Sequence, residues 1–216
     1  MGTITAQEIL DRAKILLVDA GNDRWIESES LGWLNEGLLE IVRFIPTAYT
    51  VNEAVQLSSG VKQTIPTGRI EFLGATMNMG GDGSTPGDVI NFIDMKELGY
   101  VDPTWASQTQ SATTEFITKK EGDRKTYYVS PPSDGTGYIE IVCSDTPAEI
   151  SVGTAIPIDD IYSPIILDYV MFRCLSVDST EPHYRDMAQL YFKKFTESIS
   201  AKVSVEQGAD LAAGVR

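Results

Sequence analysis

Side chains that titrate, attack or ligate come first, because their types and spacing limit what chemistry is open to a chain. There is a single histidine, His183. One imidazole cannot build a multi-histidine metal site, and a Ser-His-Asp arrangement would hang on a residue at the start of an expected helix, where a surface or capping role is the simpler reading. Cys143 and Cys174 stand in apolar surroundings without CxxC spacing. They read as two buried free thiols of a reducing compartment. Gly80-Gly81-Asp82-Gly83-Ser84-Thr85-Pro86-Gly87 lacks the Gly-Lys-Ser/Thr ending of a phosphate loop and leads into no capped helix, so it reads as a mobile hairpin loop. Asp82, Asp88 and Asp94 are spaced too loosely for a calcium loop. No metal or cofactor is expected. Asp159-Asp160 is the most conspicuous carboxylate pair for acid and base work. Acidic residues just ahead of a helix are also favoured by its dipole, by a few tenths to about 1 kcal/mol, which accounts for the pair without catalysis. Trp25, Trp33 and Trp105, with Tyr127 and Tyr128, offer either a sugar-stacking platform or core and interface packing.

The scaffold available to hold such groups is 216 residues, enough for one compact domain or two small packed lobes. Hydrophobic residues make up 42% and charged residues 22%, the balance of a chain that buries a sizeable core. With 17 Lys and Arg against 31 Asp and Glu, the formal charge is −14. That excludes a nucleic-acid surface built on a broad basic patch. No apolar run approaches the roughly 18 to 20 residues needed to cross a bilayer, so no membrane partner is expected. The segment Met1 to Thr5 lacks the basic and apolar regions of a signal peptide, which points away from secretion.

Period and punctuation divide the chain in three. Thr5 and Glu8 have capping-box spacing and Ile4 and Ile9 staple spacing, so a helix is expected from Thr5 to Ala20, stopped by Gly21-Asn22. A second begins near Ser28 or Ser30, carries Leu34, Leu38 and Ile41 on one stripe, and ends before Pro46. From Tyr49 the period turns alternating, with Gly/Asp/Ser/Pro turns between short runs, and a helical turn is expected at Asp94 to Leu98. Ser163-Pro164 opens a third helix through Val170 to Val177, and Glu181-Pro182 a fourth through Tyr191 and Phe195 to about Lys202. The expected fold is α+β: residues 1–48 and 160–202 form a four-helix bundle with core Leu34, Leu38, Ile41, Val170, Tyr191 and Phe195, and residues 49–159 an inserted antiparallel sheet or sandwich. Residues 203–216 carry no sustained period and read as a flexible tail.

The order of features resembles the head-to-tail adaptors of tailed bacteriophages, the group that includes tail tubular protein A. Leu31-Gly32-Trp33-Leu34-Asn35-Glu36 running to Pro46 is similar to the family's Trp-x-Asn-Glu helix. Gly60-Val61-Lys62-Gln63-Thr64-Ile65-Pro66 resembles its Gly-x-x-Gln-x-Leu-Pro, with Ile65 for leucine. Tyr127-Tyr128-Val129-Ser130-Pro131-Pro132, then Gly137-Tyr138-Ile139-Glu140-Ile141, resembles its Phe-Tyr-Val-x-Pro-Pro and following strand. The stretches Leu167-Asp168-Tyr169-Val170 and Leu190-Tyr191-Phe192-Lys193-Lys194-Phe195 continue the match.

The resemblance implies a non-enzymatic virion component, assembled in the host cytoplasm, with portal protein, tail or nozzle protein and copies of itself as partners. It implies a dodecameric ring under the portal that completes the head, lets viral DNA pass without specific binding, and docks the tail. An acidic chain suits such a conduit, since cationic contacts would hold the duplex. Partner-binding residues are expected at Val203, Val205, Leu211 and Val215 in the tail and at Gly81, Asp82 and Gly83 in the loop. Two other classes remain open: a glycan-binding β module using Trp105, Tyr127 and Tyr128, and a hydrolase using Asp159 or Asp160.

Overall fold

The computed structural model describes residues 2–177 and 182–213, with residues 206–213 described by their backbone. The protein is a mixed α/β chain in two compact units, Met1–Ala48 with Pro147–Arg216 and Tyr49–Thr146. The described residues hold five α-helices and two four-stranded sheets.

In the helical unit, α1 (Ala6–Leu17) starts where the capping box places it: the Thr5 hydroxyl accepts from the Glu8 N–H while the Glu8 carboxylate accepts from the Thr5 N–H. It stops sooner than Ala20. Val18 takes a left-handed conformation at φ 56° and its N–H closes onto the last turn. The Asp19 carboxylate then accepts the N–H groups of Asp23, Arg24 and Trp25, which draws the chain out of the helix before Gly21 can act. α2 (Glu27–Phe44) has no side-chain cap at Ile26; Glu27 and Glu29 in its first turn meet the dipole instead. Ser30, an expected cap, is buried near Cys174. α4 (Ser163–Val177) packs on α1, on α2 and on α5 (Pro182–Ala213), and is accordingly buried around most of its circumference.

Two boundaries differ from expectation. α5 runs to Ala213, past the end expected near Lys202, so residues 203–213 continue its helical backbone. Extending an existing helix adds one hydrogen bond per residue with no new nucleus, and Ala209, Leu211, Ala212 and Ala213 are strong helix formers against a single Gly208. The missing apolar stripe is a statement about burial, not about backbone. The β unit likewise closes at Thr146, not at residue 159. Residues 147–158 form a strap on the helical unit: Thr154 and Val152 carbonyls accept the Ala6 and Gln7 N–H groups at 3.0 and 2.8 Å, which α1 leaves unpaired, and Ile156 and Ile158 are buried.

In the β unit, one sheet has the order β1 (Thr50–Gln56), β8 (Tyr138–Ser144), β3 (Glu71–Met79), β4 (Pro86–Val89). The other runs β2 (Gly60–Thr64), β7 (Thr126–Ser133), β6 (Phe116–Thr118), β5 (Asn91–Phe92). Phe72, Ile139, Ile141 and Cys143 of the first share one core with Ile117, Tyr127 and Val129 of the second, and the Phe72 and Tyr127 rings stack at 4.4 Å. The pairing is antiparallel except for β5 on β6, which is parallel, so the expected all-antiparallel sheet is mixed. Pro131 and Pro132 fall where the β2–β7 register slips, the place in an inner strand where absent N–H donors cost least. α3 (Met95–Val101) is the short helix expected near Asp94, which caps it.

Candidate interaction surfaces

The residues considered for chemistry do not converge. His183 is exposed at the first turn of α5 and touches Tyr184. The Asp159 carboxylate caps the 3-10 turn Asp160–Tyr162 through the Ile161 N–H. That of Asp160 accepts the N–H groups of Thr3 and Ile4 and the Thr3 hydroxyl, and these bonds, Ile4 first, hold it below the ordinary carboxylate range. Both acids therefore tie backbone. Tyr127 is 1% exposed in the β core, leaving Trp105 edge-on to Tyr128 at 6.5 Å as what remains of the aromatic shelf. Trp25 is buried with its indole N–H donating to the Cys174 carbonyl at 2.8 Å. Burial pushes the Cys143 and Cys174 thiols up to about 11, so both are inert protonated side chains. Among the described residues no three His, Cys, Asp or Glu side chains cluster as metal ligands.

The loop before β4 is a built turn. Gly80 N–H bonds the Thr85 carbonyl at 2.7 Å, and the Asp82 carboxylate accepts from the Ser84 and Thr85 N–H groups, which draws its pKa down to about 2. Gly83 sits at φ 70° with its α-carbon against the Tyr138 ring, where a Cβ would come within 2.9 Å. Gly81 and Asp82 are exposed at its tip. Of the other residues expected to bind partners, Val203 is half-buried and Val205 exposed on α5, Leu211 lies on the same helix by its backbone, and Val215 is outside the described residues. Of the expected core, Leu34, Leu38, Ile41, Val170 and Phe195 are buried. Tyr191 is only half-buried, because it lies at the mouth of a cleft of about 290 Å³ with Leu16, Val18, Met171, His183 and Met187.

The sequence reading missed two exposed apolar sets. Ile15 and Val18, 76% and 92% exposed, stand together at the end of α1, with Val18 also lining that cleft, and Val89, Phe92, Tyr100 and Val101 project from β4, β5 and α3. A helix expected to run to Ala20, about one turn past its end at Leu17, hid the first. The second lies in a stretch of Pro, Gly and Asp that carries no strand signal.

The motif residues hold the fold together, some over long stretches of chain and some within a turn. The Asn35 side chain donates to the Ile150 carbonyl at 3.2 Å and accepts from its N–H at 3.0 Å, clamping the strap onto α2. Glu36 pairs with Arg173 of α4. Buried Gln63 closes the turn before β2, accepting from Ser58 N–H at 2.8 Å and donating to the Ser58 and Gly60 carbonyls. Gly137 passes so near the Ala112 carbonyl that a Cβ would lie 1.9 Å from its oxygen. These motifs are thus structural signatures of one fold, and a sequence model of the SU10 adaptor protein family matches residues 4–216, across both units. The chain belongs to that family of phage adaptor proteins. A comparison with curated proteins finds no match. For an adaptor, the features that matter are exposed surfaces rather than a reactive centre, and no described helix is long and apolar enough to cross a membrane.

Proposed function

We propose that this adaptor is the structural link between head and tail of a tailed phage: it forms a homo-oligomeric ring, a dodecamer, under the portal, completes the head, lets viral DNA through without specific contacts, and docks the tail or nozzle protein. It joins the portal vertex after assembly in the host cytoplasm. In this reading α1, α2, α4 and α5 act as one four-helix bundle, and the β unit and the far end of α5, with Val203, Val205, Leu211 and Val215, meet neighbours. The Gly81-Asp82-Gly83 tip is a further contact. No catalytic role is assigned.

The observation that carries the reading is the family match over residues 4–216, which leaves neither unit outside the adaptor. The charge of −14 supports a conduit that does not grip phosphate, and exposed apolar sets in each unit support partners on both. Negative-stain images and mass measurement of the purified chain, with and without the portal of its own phage, test it. Rings on the portal are expected; a chain that never associates with portal at any concentration would overturn the reading.

A further inference from the structure

A strand at the edge of a sheet leaves half of its backbone N–H and C=O groups without a ladder partner, and those groups can recruit a further strand. The edges of the β unit are β1 and β4 in one sheet and β2 and β5 in the other. Three of them are blunted. β4 has four residues, opens on Pro86 and slips register against β3 between Met77 and Met79. β5 has two residues. β2 slips register between Gly60 and Lys62 and exposes Lys62. Short length, proline, bulges and lysine are the features that keep an edge from pairing with another chain. β1 has none of them. Its seven pairs with β8 run unbroken from Thr50 opposite Ser144 to Gln56 opposite Tyr138, and Thr50–Gln56 contains no proline and no lysine.

The bonds at the two ends of β1 fix which of its groups are open. The Asp145 N–H donates to the Tyr49 carbonyl at 3.1 Å and the Leu57 N–H to the Gly137 carbonyl at 2.9 Å. Hydrogen-bonded pairs alternate along an antiparallel ladder, so between those ends Val51, Glu53 and Val55 turn their N–H and C=O groups toward β8. Thr50, Asn52, Ala54 and Gln56 turn theirs away. All four of these residues are exposed, and among the described residues no other element bonds their backbone. A row of four donors and four acceptors therefore lines this edge.

Side chains say what would lie alongside. Val51 and Val55 pack against the β core, and Glu53 stands between them on the same face of the strand. Both Glu53 oxygens accept from Arg69, which also holds Asp145, so two carboxylates share one cation and a further positive charge is favoured there. A second copy fits poorly. Its other edges are blunted, and pairing β1 with β1 so that all the open groups bond sets Glu53 opposite Glu53 of the other copy, where like charges destabilise a ladder. That contact is also two-fold and cannot repeat around a ring. We infer that β1 is a strand-addition edge and that its occupant is an extended segment of a different virion protein, lying antiparallel, with a basic residue opposite Glu53 and apolar residues two positions to either side, opposite Val51 and Val55. That the donor is a virion protein rests on the adaptor reading.

The test is residue-resolved amide exchange on the full-length chain over a concentration series, and on the head–tail junction isolated from particles of its own phage. In the free chain Val51, Glu53 and Val55 should be protected by the β8 ladder while Asn52 and Ala54 exchange freely. In the junction Asn52 and Ala54 should slow by about a hundredfold or more. Ala54→Pro and Asn52→Pro each delete one outward N–H and leave the β8 bonds in place, so both should melt like the parent yet be retained in the junction about tenfold less. A photoreactive residue at position 54 should capture, within the junction, a segment of another protein with the apolar, any, basic, any, apolar pattern. Asn52 and Ala54 amides that stay open in the junction would overturn the inference, a measurement that needs no variant. So would well-folded proline variants retained like the parent, protection that grows with concentration in the free chain, or capture of a second copy or of a segment without the basic residue. If the chain is in the junction and its β1 edge is open, the adaptor reading stands alone; if the chain is absent from the junction, the adaptor reading fails and the assignment with it.

Discussion

Gly137 shows how a single residue is fixed by backbone it never meets in sequence. A methyl there would sit 1.9 Å from the Ala112 carbonyl oxygen, a backbone atom that cannot swing aside as a flexible side chain would. Gly137→Ala should therefore cost about 1 to 3 kcal/mol, read as a lowered denaturant midpoint. Asn35 is similar: Asn35→Ala strands the Ile150 N–H and carbonyl, with an expected loss of about 1 to 3 kcal/mol. These residues were visible in the sequence as a pattern, but their purpose was not, because the bonded partner of Asn35 is 115 positions away. Asp168 was visible as part of a motif and carries a different consequence. Burial on α4 raises its carboxyl above the ordinary range, with Lys194 only partly opposing. The folded state then binds the proton more tightly than the unfolded state, so ionised Asp168 is a cost that is full above its folded pKa and vanishes as pH falls below the unfolded value. Asp168→Asn should raise Tm at neutral pH, and melts repeated toward acid should show the gain shrinking; a constant gain would exclude titration as its source.

At the level of elements, periodicity was legible wherever one face is buried. The stripe through Leu34, Leu38 and Ile41 lies fully in the helical core, and Leu38→Ala should cost about 2 to 5 kcal/mol in equilibrium unfolding, whereas Tyr191→Ala, at a cleft mouth, should cost distinctly less. Helix ends were less legible, since α1 is stopped by the Asp19 carboxylate gathering three N–H groups, a device with no local sequence signature. β4 and β5 escaped notice for a related reason. Pro86, Gly87 and Asp88 are poor strand formers, and their place is set by the Asn78 side chain, which donates to the Asp88 and Thr114 carbonyls and accepts from the Thr114 N–H. Composition also concealed the basic run Lys119 to Lys125, because a sum of −14 says nothing about where 17 cations are placed.

For the whole molecule, the far end of α5 separates stability from attachment. Ile199 is the last buried side chain described on α5, so a chain ending at Lys202 should melt close to the full-length protein yet be captured more weakly by its portal in a pull-down. Equal capture would remove residues 203–216 from the docking surface. The β unit has a further property, which follows from how its ends are tied. Thr50 lies opposite Ser144, the Asp145 N–H donates to the Tyr49 carbonyl at 3.1 Å, and Arg69 grips Glu53 with two bonds, at 2.6 and 3.0 Å, while also holding Asp145. The chain thus enters and leaves through neighbouring strands, about 5 Å apart as paired strands are. Such a unit is a cassette. It can be lifted out and the gap bridged by a few residues, or exchanged for another with different edges, while the helical unit keeps its own core. A lineage under pressure to change one surface and keep the rest would find that exchange open to it in a single recombination between residues 49 and 146.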